Sequence, residues 1–525
     1  MSLTSARFLA FAALLLIVYY AVPKRQRWWV LLASSLFFYC MAGLRSAVYI
    51  LITATSTYFA ARWMERLSRQ LKQRLKEEPA PTKEEKTAWK ARTAKQRRRI
   101  LVGTLLLNFG ILCAFKYAAF ALEQVNAVVR LLGGSAELGT LRFLIPLGIS
   151  FYTFQTMGYL IDVYWKKVEA QKNYAKLLLF VSFFPQITQG PISDYAQLSE
   201  QLFTPHAYSY ESFRDGAIRM IWGFAKKLVL ADLLAPCVAD VFANYASYAG
   251  ITVLLGAFCY SVQIYADFSG YMDIVCGLCQ MLGIRLTENF DRPYFSKSIA
   301  EYWRRWHISL GAWFKTYIYY PIAVAKWNQR LGKRAQKRFG KHFGRSLPAS
   351  LALVAVWITT GLWHGASWGY IAWGAVNGLF IIFSLWMEPV YAAARQRLHI
   401  NEGRWLWRVF QTLRTFFLVT LIKVLPEVGG LRRGLGLWKR IFTDFTIPRS
   451  FSGLLPFVNR EDFVVICLFT AALFVTSIIQ RRQPIRQWFA KWPKLLQLLL
   501  LAALILAALY YGSSGSGGGF LYAQF

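Results

Sequence analysis

Charge is scarce in this sequence, and acid is scarcer than base. Only 17% of the 525 residues are Asp, Glu, Lys or Arg, where a soluble domain carries about 25%, so a string of soluble domains is excluded. Histidine occurs five times and cysteine seven. The cysteines are odd in number and scattered over apolar stretches. Cys276 and Cys279 form a CxxC without a second pair or a nearby histidine, so they read as small buried hydrophobes, not a zinc or redox site. No HExxH, Walker loop or GxSxG elbow is present. A cleavable leader is not expected either. The apolar run 8–22 is followed, not preceded, by Lys24, Arg25 and Arg27, which fits a retained first helix. No internal repeat is found.

What fills the sequence is apolar and aromatic. Hydrophobic residues make up 56% and aromatics 17%, and runs near bilayer-spanning length recur along the whole chain. Aromatic rings settle at bilayer interfaces. The pattern predicts an all-α, polytopic membrane protein with about eleven spans. Candidate spans follow 8–22 near 28–43, 46–61, 101–121, 142–162, 174–190, 216–244, 250–268 and 270–284. Others lie near 350–363, 366–388, 408–427, 462–480 and 495–511. The shorter or more polar of these are expected to be re-entrant.

The net charge of +35 does not point to nucleic acid, because the positives sit in short loops between apolar runs. That is the positive-inside pattern, with anionic membrane lipids as partners. Residues 62–100 hold 14 Lys/Arg against 5 Glu, and 326–345 hold eight Lys/Arg and no acid, so both are expected in the cytoplasm. The parity of spans then puts both termini outside the cell membrane. Three parts are expected: a core over 1–400 with the basic loop 62–100, broken at 79–81 by Pro-Ala-Pro; further spans over 401–511; and a flexible tail over 512–525.

Two histidines stand out. His364 ends an apolar stretch in Gly361-Leu362-Trp363-His364-Gly365, where an ionisable group is costly and functional by default. His307 lies in Tyr302-Trp303-Arg304-Arg305-Trp306-His307, a mix of aromatics and cations that suits a re-entrant element. Each reads either as a hydrogen-bonded packing residue or as an acid–base group able to activate a hydroxyl near neutral pH. His342 and His399 fall in basic loops facing water, and His206 follows Pro205 in a polar loop with no evident partner. Asp267 and Asp273 are carboxylates in apolar surroundings, better suited to structure or to lining a passage than to acid catalysis.

In order along the chain stand Phe115-Lys116-Tyr117, Leu147-Gly148-Ile149-Ser150-Phe151-Tyr152, Gly190-Pro191, Asp267-Phe268-Ser269-Gly270-Tyr271, Arg305-Trp306-His307 and Trp363-His364-Gly365. With this set the chain resembles the membrane-bound O-acyltransferase family, in particular its alginate O-acetyltransferase and teichoic-acid D-alanyltransferase branch. The resemblance implies a ring of helices around a central tunnel, with His364 catalytic and His307 across from it. Arg305, Trp306, Asp267, Ser269, Trp363 and Asn377 would line or support the tunnel. Many relatives have histidine where Asn377 stands, and an amide hydrogen-bonds but moves no protons. The ending Phe520-Leu521-Tyr522-Ala523-Gln524-Phe525, after a Gly/Ser-only stretch from Gly512 to Gly519, resembles the family's FxYxxF motif. By that resemblance Tyr522 is an acyl carrier; an interfacial anchor and a cloning scar are the plainer readings.

The implied activity is O-acyl transfer, acetyl in the first place, from a cytoplasmic thioester to an extracytoplasmic acceptor, for O-acetylation of a cell-envelope polysaccharide. Acetyl-CoA or an acyl carrier protein would be the cosubstrate, with no bound cofactor and no metal. An extracytoplasmic acyltransferase partner would place the group on the polymer. D-alanyl transfer to teichoic acid is the rival within the class. A proton-coupled transporter and a docking protein are the rivals outside it.

Overall fold

A computed structural model of the chain describes residues 2–41, 43–76, 81–133, 139, 146–514 and 519–521. These residues form helices and loops, with one isolated antiparallel bridge, Phe290 to Trp306, as the only strand-like pairing among them. The all-α expectation therefore holds. Contacts divide the chain into two compact units: Met1–Arg214 with Leu278–Thr287, and Asp215–Gly277 with Glu288–Phe525.

The first unit contains α1 (Ala6–Ala21), α2 (Arg27–Cys40), α3 (Leu44–Arg74), α4 (Lys83–Leu131), α5 (Ile149–Tyr164) and α6 (Tyr174–Ser182). At 49 residues, α4 is about 74 Å long, more than twice the hydrocarbon thickness of about 30 Å. Its basic first half and the basic end of α3 are therefore water-facing extensions of apolar helices. The break expected at 79–81 falls between α3 and α4; residues 79 and 80 lie outside the described residues. Thr82 starts α4 with a capping box. Its hydroxyl accepts from the Glu85 amide at 3.2 Å while Glu85 takes the Thr82 amide at 2.8 Å, and these bonds hold the Glu85 carboxyl below its ordinary range. Inside the unit, the buried Arg97 donates to the carbonyls of Val163 and Tyr164 at 3.1 and 2.7 Å, closing the C-terminal end of α5. Gly148 precedes α5 at φ +67°, and a side chain there would collide with the Ile187 backbone. Two of the sequence stations, Leu147–Tyr152 and Gly190-Pro191, thus belong to one packed region.

The second unit takes in α7 (Tyr210–Ala225) from Asp215 onward, a π-helical stretch at Lys226–Ala231, α8 (Asp232–Ala243) and α9 (Gly250–Met281) as far as Gly277. Glycines let α7 and α9 touch backbone to backbone. A Cβ on Gly223 would sit 2.7 Å from the Gly270 oxygen, and one on Gly277 would sit 2.6 Å from the Gly216 oxygen. Then come α10 (Ile299–Arg305), α11 (Ile308–Phe314), α12 (Lys326–Phe339), α13 (Lys341–His364), α14 (Trp368–Trp386), α15 (Trp405–Glu427), α16 (Arg460–Ile479) and α17 (Lys494–Ser514). α13 and α14 form a hairpin whose close approach rests on Gly361, Gly374 and Gly378; a Cβ on the last would sit 2.9 Å from the Trp357 side chain.

Seven described helices are long and apolar enough to cross a bilayer: α4, α9, α13, α14, α15, α16 and α17. The other expected spans fall on shorter, more polar or interrupted elements. α5 has 16 residues, α6 stops at Phe183 before Pro185, and 216–244 is divided by the π-helical stretch.

Candidate active site

His364 is the last residue of α13, where the helix stops against Gly365. Its buried ring packs on Trp363 and Trp373, each at 4.9 Å between centroids, and lies parallel to Tyr370 at 6.3 Å. Gly365 makes this possible, because any side chain there would run into the Tyr370 ring. The helix end is therefore shaped around one imidazole.

His307 is held quite differently. It occupies the left-handed region, φ 49°, between α10 and α11, a conformation a non-glycine residue keeps only when its surroundings impose it. The 289–291 segment imposes it. Asp291 donates to the Arg305 carbonyl at 3.0 Å, Ile308 donates to the Asn289 carbonyl at 3.1 Å, and the Asn289 side chain accepts the Ser309 amide at 2.9 Å. The imidazole, 2% exposed, meets Phe268 at 4.9 Å and Trp363 at 5.8 Å. Both histidines therefore pack against one indole, that of Trp363.

The supporting residues have definite partners. Trp306 stacks on Tyr302 at 5.6 Å and edges Phe290 at 5.0 Å. Arg305 pairs with Glu301 at 2.7 Å. Asn377 accepts from the Trp303 indole and donates to the Trp373 carbonyl, both at 2.9 Å. It ties the aromatic wall together. Asp267 and Ser269 receive the ammonium groups of Lys227 and Lys226, each at 2.8 Å, and Lys226 also reaches Asp273 at 2.6 Å. Tyr522 lies outside the described residues. Its neighbours Gly519–Leu521 lie against Lys227, Asp267 and Tyr271.

Sequence reasoning missed several charged groups here. Lys423, 6% exposed, reaches the Tyr294 hydroxyl at 2.8 Å and places its ammonium 4.0 Å over the Trp306 ring. Arg219 bridges Asp273 and Glu288. Cations inside the apolar runs 216–244 and 408–427 were the available signal. His206, expected to lack a partner, bonds the Gln201 carbonyl at 2.6 Å, and its own carbonyl accepts from Arg27 at 2.6 Å; the loop folds back on itself, which sequence spacing does not reveal. A cavity of about 670 Å³ adjoins the 289–291 segment, with Arg219, Lys226, Gln480 and Arg486 in its lining and apolar residues of α16 and α17 along its wall.

Residues 167–422 match the family described as membrane-bound O-acyltransferase. That matched segment, just under half of the chain, is one of a membrane-bound O-acyltransferase. It contains both histidines, Asp267 and Asn377. Similar relatives include probable alginate O-acetylases of Azotobacter vinelandii, 36% identical over 55% of this chain and 54% of the relative, and of Pseudomonas syringae, 36% identical over 63% and 58%. A peptidoglycan O-acetyltransferase of Helicobacter pylori is 29% identical over 65% and 64%. The matches thus span less than two thirds of each relative's length. The matched segment also contains Trp363, against which both histidines pack.

Proposed function

We propose that the protein is a membrane-embedded O-acyltransferase that moves an acyl group, acetyl in the first place, from a cytoplasmic thioester to an extracytoplasmic acceptor, for O-acetylation of a cell-envelope polysaccharide. The observation that carries this reading is the pair of buried imidazoles against Trp363. His364, at a helix end closed by Gly365, is the general base, and His307, fixed by the 289–291 pairing, orients the reacting groups. The names of the relatives support an envelope polymer as the destination.

In the first step the His364 imidazole takes the Tyr522 phenol proton as the phenolate oxygen attacks the thioester carbon. The C–S bond breaks, the thiolate takes the proton from the imidazolium, and an aryl ester and a free thiol remain. A phenol, with pKa about 10, is easier for imidazole to activate than a sugar hydroxyl. In the second step a hydroxyl on the outer side attacks that ester and restores the phenol, and an extracytoplasmic partner hands the group to the polymer. Acetyl-CoA or an acyl carrier protein supplies the thioester as a cosubstrate. The cavity beside 289–291 suits its approach, since Gln480 and Arg486 in its lining belong to the stretch 480–494, whose Arg481, Arg482, Arg486, Lys491 and Lys494 carry the positive-inside signal of a cytoplasmic loop.

The test is thiol release from acetyl-CoA and from a D-alanyl carrier-protein thioester, using purified protein. His364→Ala is expected to lower the rate on the order of a hundred- to ten-thousand-fold while inserting and purifying normally. Release from the D-alanyl donor alone would favour teichoic-acid chemistry. Release unaffected by His364→Ala removes the assignment, and no release from either donor favours the transporter reading.

A further inference from the structure

The π-helical stretch at Lys226–Ala231 turns two consecutive lysines toward two carboxylates of α9, and the two pairs end differently. Lys226 is satisfied by Asp273 and Ser269. Lys227 meets Asp267 at 2.8 Å and Asp232 at 2.9 Å. Its third donor goes to the backbone carbonyl of Gly519 at 3.2 Å. The second oxygen of Asp267 accepts the Leu521 amide at 3.1 Å. Asp267 is 0% exposed, and a buried carboxylate oxygen without a donor is costly. Both partners of this ion pair are therefore completed by the backbone of the C-terminal segment.

Between those two backbone contacts lies Phe520, 4% exposed. Its ring stands edge-on to Tyr271 at 5.1 Å, with the Lys227 ammonium 4.9 Å from its centroid. Asp267 and Tyr271 are four apart on α9 and so present one face. At the other end of the Gly/Ser stretch, Gly512 at the close of α17 lies beside Leu228, so both ends of the linker are anchored on the π-helical stretch. Phe268, the residue after Asp267, packs on the His307 ring.

We infer that Lys227, Asp267 and Tyr271 form a docking site for the chain's own C-terminal segment, gripping its backbone at Gly519 and Leu521 and its side chain at Phe520. The site sets the register of residues 519–521 on α9, whose Phe268 packs on the His307 ring. Lys227 and Asp267 are positioning residues in this scheme. Docking itself is independent of the carrier role of Tyr522; only its consequence for transfer rests on the function proposed above.

The experiment is hydrogen exchange of the full-length protein in lipid nanodiscs, read on peptides covering 512–525, together with acyl transfer. In the parent, exchange at Phe520 and Leu521 is expected to be slow. Leu521→Pro deletes the amide that Asp267 accepts, and Phe520→Ala deletes the anchor. Each should speed exchange of the tail about tenfold or more and depress acyl transfer while leaving the melting temperature of the helical body unchanged. Asp267→Asn should speed tail exchange from the receptor side. Tyr522→Phe should leave the tail protected. If it does so and transfer also persists, the carrier reading fails and the docking site stands. Tail exchange at the random-coil rate in the parent, or exchange indifferent to both Leu521→Pro and Phe520→Ala, would overturn the docking site.

Discussion

Adding one methyl group at Gly365 tests how tightly the helix end is built around His364. The Gly365 backbone is extended, φ −170°, so alanine is tolerated there conformationally and the effect is steric alone. Its Cβ would lie 3.1 Å from Cγ of Tyr370 and nearer still to the ring edge, against an ordinary carbon–carbon separation of about 3.5–4.0 Å. The ring edge must therefore swing by about 1 Å or more. It cannot carry its backbone along, because the Tyr370 carbonyl already sits close against Gly361. The overpacking should cost about 1–3 kcal/mol of stability. The face that Tyr370 presents to His364 tilts with the ring, and a misplacement of about 1 Å at a reacting group costs on the order of a hundredfold in rate. Gly311 is the internal control. A Cβ there meets only the Trp303 carbonyl at an ordinary 3.7 Å, and alanine in a helix gains up to about 1 kcal/mol over glycine. Thermal melts in detergent and thiol release from the thioester read both variants. Gly311→Ala should be neutral or slightly stabilising with full activity, and Gly365→Ala destabilised and slow. If Gly365→Ala matches the parent in both assays, His364 is not held by this packing and the account of the helix end is wrong.

Two further outcomes follow from the same geometry. Lys423→Met keeps the length of the side chain and removes its charge. Release of the buried ammonium offsets the lost ring contacts, so stability should change little, while activity falls about tenfold or more because the cation no longer fixes Trp306 beside His307; unchanged activity would make Lys423 a packing residue. For orientation, a single cysteine replacing Lys90 in a cysteine-free background should resist an impermeant reagent in whole cells, and ready labelling would reverse the assigned sidedness.

How far the sequence reached is clearest residue by residue. His364 and His307 were legible because an ionisable ring inside an apolar or aromatic run has few uses. Their meeting at Trp363 was not legible, since they stand 57 positions apart and only the fold closes that gap. The lysines at 226, 227 and 423 were visible as charges within candidate spans, yet their partners at Asp273, Asp267 and Tyr294 lie far along the chain. The tail was recognisable by its motif. Its receptor was not, because it depends on a π-helical turn that no local signal announces. The expected number of spans exceeded the seven long apolar helices for a related reason. Hydropathy registers an apolar run but not the interruption that Pro185 or the π-helical stretch puts into it.

Mass analysis of the purified protein after incubation with a thioester donor bears on the central claim most directly. The account predicts one added acyl group per chain, located by peptide mapping on Tyr522. The adduct should be absent from Tyr522→Phe, strongly reduced in His364→Ala and dischargeable to an acceptor hydroxyl. A parent protein that acylates its polymer without ever carrying the group, or a Tyr522→Phe variant that acylates as well as the parent does, would contradict it.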